Sequence, residues 1–252
     1  MNMHQAYDQY TAADFGVWKL LFDRQMANLQ QYAALRFLQS LEKIRFRADR
    51  IPRFENVNQL LAAQTGWQIT VVPNIVPDRD FFEMLRQQRF PATTWLRRPD
   101  QLDYLEEPDM FHDVFGHLPF LSDPDYCAFL SRLAAIGMRF IDDTAVIQML
   151  SRLYWFTIEF GLVREEGQLK IYGSGLLSSY GETLYSVSEE PQHLPFDVQT
   201  LLHTPYRNDV IQDKYFVVAS FEQLFGCLDE AESILEAIYV RNNKSYTPRS
   251  AV

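Results

Sequence analysis

The chain has 252 residues, 47% of them hydrophobic and 14% aromatic, with a formal net charge of −10. That length suffices for one large domain or two small ones with room for a buried site, and the composition is that of an ordinary globular protein. The negative charge argues against nucleic acid or anionic lipid as a partner, because its field repels phosphates.

The opening MNMHQAYDQYTAADFG lacks the basic-then-apolar order of a signal peptide, and no apolar run approaches a membrane span, so a cytoplasmic location is expected. Apolar residues at Trp18, Phe22, Met26, Leu29, Ala33, Phe37, Leu41 and Ile44 mark an amphipathic helix, with Thr11 or Asp14 as its cap. Asn58 to Gln64 reads as a short helix stopped at Gly66. WQITVVPNIVP reads as a strand entering a proline-punctuated loop, followed by helix from Asp78 to Gln88. From Asp143 to Leu162 the chain is nearly all apolar after its cap, which predicts a buried helix. KIYGSGLLSSYGE mixes glycine and serine and cannot be plain helix, whereas Asn208 to Tyr239 reads as helix with turns. The fold class is mainly α with a few short strands in one domain. Cys127 and Cys227 make neither a metal-binding pair nor a disulfide framework.

EPDMFHDVFGHLPFLSDPDY, residues 107–126, sets two histidines five positions apart. On a regular α-helix that spacing rotates the second side chain about 140° from the first, so His112 and His117 would not share a face. Asp109 is a good N-cap, Gly116 permits a helix-ending conformation, and Pro119 disfavours helix at Leu118. A break at Gly116 is therefore expected, with His112 on a short helix and His117 on the turn that leaves it, so that the imidazoles can meet. Two unrelated histidines remain the alternative on spacing alone.

Glu159 lies inside the apolar stretch, between Ile158 and Phe160. An ionised carboxylate there carries a desolvation cost of several kcal/mol unless a cation meets it. Arg152 or Arg164 could be that cation; so could a metal held by the two histidines. Two nitrogens and an oxygen leave open positions, which suits non-haem Fe(II) activating O₂, and zinc hydrolases use the same set.

EPDMFHDVFGH, LYWFTIEFGL and YGSGLLSSYGE, in that order and spacing, resemble the pterin-dependent aromatic amino acid hydroxylases over roughly Trp18 to Phe221. RRPDQLDYLEEPD looks most like the bacterial phenylalanine 4-hydroxylase branch, whose members are catalytic domains without regulatory or tetramerisation segments. The resemblance implies one basket-like catalytic domain over residues 1–252, acting as a monomer. It implies that His112, His117 and Glu159 bind Fe(II) at the bottom of an open cleft. The family reaction couples O₂, L-phenylalanine and a tetrahydropterin (tetrahydrobiopterin or a bacterial analogue) to give L-tyrosine. Pterin-recycling enzymes would be functional partners.

By the same resemblance Arg97 matches the arginine that holds the substrate carboxylate, a role for a planar bidentate donor. Trp155 and Phe160 match the aromatic wall of the amino acid pocket, and Gly175 and Ser178 line it, with Ser178 also placed to bond His112. Glu182 matches an acid behind the metal ligands. VVPNIVPDRDFF corresponds to the pterin loop, giving Ile75, Val76 and Phe81 as contacts, with Asp113 and Tyr154 on the same side. Animal enzymes carry glutamate at Asp113 and threonine at Leu105, and Asn74, Pro77 and Asp78 also depart. Trp155 and Val217 match phenylalanine hydroxylases and give the pocket an apolar wall suited to an unsubstituted ring. Tyrosine or tryptophan hydroxylation, a zinc hydrolase and a non-catalytic helical binding protein are the rival readings.

Overall fold

Thr11 and Asp14 share the cap of the first helix. The Thr11 hydroxyl accepts the Asp14 N–H while the Asp14 carboxylate accepts the Thr11 N–H. The structure, a computed structural model, describes residues 3–102 and 107–244; Leu105 lies outside these. The periodicity that reads as one helix from Trp18 to Ile44 is two, α1 (Ala12–Tyr32) and α2 (Leu35–Ile44). Between them Ala33 is extended and bridges Ile171, and the Ala34 N–H donates to the Ile171 carbonyl at 2.8 Å. A partner far away in sequence overrides good local helix propensity at two small, buried alanines.

The third helix, α3 (Phe54–Gln64), begins a turn before Asn58. Then β1 (Gln68–Val71), α4 (Asp78–Arg86) and β2 (Arg89–Ala92) form a small βαβ unit with the strands parallel. After the segment that carries both histidines come α5 (Pro124–Arg139) and α6 (Thr144–Tyr154), capped by the carboxylates of Asp123 and Asp143. The apolar run expected as helix to Leu162 leaves regular α-geometry at Trp155, and Leu162 opens a strand. Continuous apolar sequence does not distinguish a buried helix from a buried strand.

That strand, β3 (Leu162–Glu165), forms a hairpin with β4 (Gln168–Ile171). Two short helices, α7 (Ser174–Ser178) and α8 (Tyr180–Ser186), precede β5 (Gln192–Pro195), α9 (Val198–His203), β6 (Lys214–Val218) and the long α10 (Phe221–Lys244). The second sheet runs β4-β3-β6-β5, with β6 parallel to both neighbours. Strand β6 corrects the reading of Asn208 to Tyr239 as helix with turns: the strand pairs on both edges and buries Tyr215, Phe216 and Val218.

The aromatic excess divides between two uses. Trp18, Phe37 and Phe120 are fully buried and pack with Phe111 and Phe115 of the histidine segment, which stack on each other at 4.7 Å. Phe81, Tyr154, Trp155, Phe160 and Tyr206 instead line a cavity. Both cysteines are buried and free.

Candidate active site

The expected break at Gly116 does not occur. Phe111–His117 is one continuous π-helical segment, and Trp155–Glu159 is a second. Hydrogen bonding from i to i+5 winds the backbone more loosely than an α-helix, so a residue and its fifth neighbour come to the same face. His112 and His117 therefore meet on unbroken helix. Gly116 is needed because this segment packs on α7: a Cβ there would lie 2.8 Å from the Ser174 carbonyl oxygen. Asp109 caps as expected, its carboxylate accepting the His112 N–H at 3.1 Å.

The two π-segments bring three side chains together. His112 Nε2 lies 3.2 Å from His117 Nε2 and 3.5 Å from a Glu159 oxygen; His117 Nε2 lies 3.2 Å from the other. Three ligand atoms each about 2.1 Å from one ion, at angles between octahedral and tetrahedral, would be roughly 3.0–3.4 Å apart. Arg152 and Arg164 turn to the carbonyls of Leu202 and Gly167, so the arginine alternative for Glu159 falls away.

Hydrogen bonding fixes which nitrogen of His112 faces the cluster. The Ser178 hydroxyl donates to the Ser174 carbonyl at 2.8 Å, so it accepts from His112 Nδ1–H at 3.0 Å, leaving Nε2 with its lone pair inward. Burial pushes His112 down to about 4, although Glu159 pulls it the other way. Burial would raise Glu159, but the two histidines and the Tyr154 hydroxyl carry it down to about 2. With Nδ1–H engaged by Ser178, the His112 Nε2 lone pair points at a Glu159 oxygen 3.5 Å away, an arrangement that favours a cation between them. The donor set fits a metal, and two nitrogens with one carboxylate and open positions suit ferrous iron.

Around the cluster the polar groups are anchored. Arg97 and Asp109, 8% and 0% exposed, form a bidentate pair at 2.9 Å, and the same carboxylate accepts the Arg97 N–H. Burial opposes ionisation of Asp109, yet Arg97 holds its carboxyl below the usual range. Thr93 donates its N–H and its hydroxyl to one Asp113 oxygen at 2.8 Å each; burial nonetheless pushes Asp113 up to about 6. Gly175 lets α7 pass the ligand segment closely, since a Cβ there would stand 2.9 Å from the Phe160 ring.

Two cavities meet at the cluster. The larger, about 420 Å³, is bounded by Arg97, Trp155, Phe160, Gly175, Ser178 and Glu182, the residues expected to hold an amino acid or to stand behind the ligands. Glu182 is itself in the cavity wall. The smaller, about 170 Å³, is bounded by Ile75, Val76, Phe81, Asp113 and Tyr154, the expected pterin contacts. His112, Glu159, Tyr154, Phe81, Ile75 and Pro108 belong to both walls. Phe81 and Tyr154 meet edge to face at 5.3 Å across the junction.

Sequence reading passed over Tyr206, Gln212 and Thr93. Tyr206 stacks on Trp155 at 4.4 Å and 13°, and Gln212 accepts the Trp155 indole N–H at 3.1 Å. No local pattern marks a residue whose partner is fifty positions away. Val217, expected in the apolar wall, is not among the described residues that bound either cavity; it packs partly buried in β6 between Leu162 and Pro195.

Residues 4–250 match the family described as biopterin-dependent aromatic amino acid hydroxylase. A phenylalanine-4-hydroxylase of Ralstonia nicotianae is 46% identical over 225 residues, 89% of this chain and 72% of that protein. Two crystal structures of the Chromobacterium violaceum phenylalanine hydroxylase superimpose closely. The one with bound iron(III) and the oxidised cofactor 7,8-dihydrobiopterin is 42% identical, covers 96% of this chain and 86% of that one, and has a TM-score of 0.88. The one with iron and phenylalanine is 40% identical, covers 93% and 87%, and has a TM-score of 0.85.

Proposed function

Because the chain belongs to the biopterin-dependent aromatic amino acid hydroxylases, we propose that it is an iron- and tetrahydropterin-dependent monooxygenase that converts L-phenylalanine to L-tyrosine. The observation that carries this reading is the meeting of two cavities of unequal size at a two-histidine, one-carboxylate cluster. A zinc hydrolase needs only one of those cavities, and a binding protein has no use for the cluster.

His112, His117 and Glu159 would hold Fe(II). The chemistry supplied by bound iron and tetrahydropterin is the activation of O₂. The remaining steps belong to the protein. Arg97, its guanidinium plane fixed by Asp109, offers its outer N–H edge to the amino acid carboxylate. Trp155, Phe160 and Tyr206 give the ring an apolar berth of a volume typical of small-molecule sites. Ile75, Val76, Phe81 and Tyr154 enclose the second cavity, where the Phe81 ring is available to stack on a flat cofactor and Asp113 presents its free oxygen. Ser178 keeps the His112 tautomer, and Tyr154 sits against Glu159. An amino acid in the larger cavity and a flat cofactor in the smaller would each be bounded by the ligands His112 and Glu159, which belong to both walls.

No described helix is long and apolar enough to cross a membrane. In this reading residues 1–252 act as one catalytic domain, monomeric and cytoplasmic, with the pterin returned by recycling enzymes. The test is anaerobic loading with Fe(II), then aerobic turnover with a tetrahydropterin and phenylalanine, tyrosine or tryptophan. Phenylalanine is expected to be preferred by kcat/KM, with tyrosine slow and tryptophan poor, because the indole of Trp155 leaves room for a benzene ring and crowds a second indole. Discrimination against the added hydroxyl of tyrosine should be about a hundredfold at most. Preference for another amino acid would replace the substrate, and absence of hydroxylation with Fe(II) would overturn the class.

A further inference from the structure

Gln212 is 6% exposed and uses every hydrogen-bonding atom of its side chain. Its Oε1 accepts the Trp155 indole N–H at 3.1 Å. Its Nε2 donates to the Arg207 and Val210 carbonyls at 2.8 and 2.9 Å, one hydrogen to each. These partners fix the amide orientation, since the flipped amide would set donor against donor and acceptor against acceptor. Its backbone N–H donates to the Glu182 carboxylate, which bounds the same cavity. The segment so tied, 204–213, joins α9 to β6 and carries Tyr206, Asn208, Val210 and Ile211 into the cavity wall.

Trp155 stacks on Tyr206 at 4.4 Å and 13°, and Phe160 lies against it at 4.6 Å, tilted by 40°. Stacking restrains motion perpendicular to the indole plane and permits sliding within it. The N–H···O bond to Gln212 supplies the missing in-plane restraint. A partly buried indole N–H that loses its acceptor loses a hydrogen bond in a poorly solvated place, which favours the ring position that Gln212 sets.

We propose that Gln212 is a positioning and specificity-determining residue, a latch that joins the 204–213 segment to Trp155 and so sets where the indole edge stands in the amino acid cavity. Gln212 is itself in the wall of the larger cavity, but its side-chain polar atoms are all engaged by Trp155, Arg207 and Val210, so its effect on a bound amino acid runs through Trp155. The inference rests on the reading of that cavity as the amino acid site, but its first test does not.

Three variants separate the halves of the latch. Gln212→Met removes the acceptor and both donors at nearly constant volume. Gln212→Glu keeps an acceptor for the indole and loses the donors to Arg207 and Val210. Trp155→Phe removes the indole N–H. In ¹⁵N-labelled protein without substrate, the Trp155 indole resonance, assigned by its loss in Trp155→Phe, should shift and exchange faster in Gln212→Met. It should return close to wild type in Gln212→Glu, while amide exchange across 204–213 stays fast in both. In turnover, Gln212→Met should raise KM for phenylalanine about tenfold with kcat within about twofold, and lower the preference for phenylalanine over tryptophan. Added to Trp155→Phe, it should raise KM by much less.

An unmoved indole resonance in Gln212→Met would overturn the latch, whatever the enzyme hydroxylates. So would a full additional KM effect on top of Trp155→Phe, or a loss confined to kcat. Should Gln212→Met fail to fold, the indole and exchange measurements on Gln212→Glu decide alone. Wild-type protein with an ordinary latch signal and no phenylalanine hydroxylation would refute the functional reading and leave the latch standing.

Discussion

At the floor of the cleft, His117, Asp109, Asp113 and Ser178 are each less than a tenth exposed, and the latter three are fixed by partners from other segments. At its rim, Ile75, Val210 and Ile211 are 71%, 44% and 55% exposed and sit on loops. The floor is held by hydrogen bonds reaching across 12, 20 and 66 residues of sequence, from Arg97 to Asp109, Thr93 to Asp113 and His112 to Ser178. The rim lies on two loops, and its 204–213 segment is held by bonds within the loop and by ties to Trp155 and Glu182. The difference teaches where substitutions should act. Changes in the floor should alter metal affinity and global stability, whereas changes at the rim should alter the affinity for substrate.

The severest way to break that contrast is to remove a floor ligand. His112→Ala, His117→Ala and Glu159→Ala should each abolish bound iron and hydroxylation while the far-ultraviolet circular dichroism stays close to wild type. Ligands at a site with open coordination positions serve chemistry more than the core. Iron stoichiometry by metal analysis is the check, and near wild-type iron in any one variant removes that residue from the ligand set.

Next comes the ion pair beneath the cluster. Asp109→Asn leaves Arg97 charged and buried without its carboxylate, and removing one partner of such a pair costs about 3–5 kcal/mol. The sign with pH follows from the direction of the shift. Asp109 titrates lower folded than unfolded, so its stabilisation is present above the usual carboxylate range and is lost as pH falls through the folded value. Urea midpoints should fall for the wild type on acidification and change less for the variant. Equal slopes would mean that Arg97 and Asp109 are held by packing alone.

How much of this was legible in the sequence depends on the range of the interaction. His112, His117 and Glu159 stood out because a histidine pair and a lone carboxylate in apolar sequence are conspicuous wherever the chain goes. The π-winding that joins them was not: it occurs in a segment packed on α7, with Gly116 against Ser174, a contact made only by folding. The chain break at Ala33 depends on Ile171, and the indole latch joins residues 57 apart. The site residues named from the resemblance lie around the two cavities, Val217 excepted, but others in those walls, Tyr206 and Thr93 among them, were not named. The resemblance gave no sign of Gln212 or of the Asp109 carboxylate that fixes Arg97. Periodicity reports which face is apolar; it carries no information about which distant polar group will meet that face.

A milder test of the floor is the orientation of a single ligand. Ser178→Ala removes the acceptor for His112 Nδ1–H and frees the ring to adopt the other tautomer, so iron affinity should weaken about 10–100-fold. Competition with a chelator measures this without turnover. Unchanged affinity would show that the close packing of α7 orients the imidazole unaided.

The smallest effect is expected where floor and rim meet, at Glu182. Burial raises its carboxyl to about 7, against the pull of the Gln212 N–H and the Ser179 hydroxyl. Between the ordinary glutamate range and that value the folded protein binds more protons than the unfolded chain. Stability contributed by this group is therefore full at acid pH and declines as pH rises toward about 7. His112 moves the other way: it is neutral when folded and protonated when unfolded, so its contribution grows with pH over part of the same window. The wild-type profile alone cannot assign the decline to one residue, but a difference can. Glu182→Gln keeps the shape and cannot ionise, so its stability relative to wild type should improve between about pH 5 and pH 8, most steeply near 6. The group is only partly buried and retains access to the cavity, which keeps the gain below that of the Asp109 change. Denaturation midpoints at both ends of the window provide the measurement. A variant that runs parallel to wild type would show that the carboxylate is already paired by the loop, and would place Glu182 with the anchored floor.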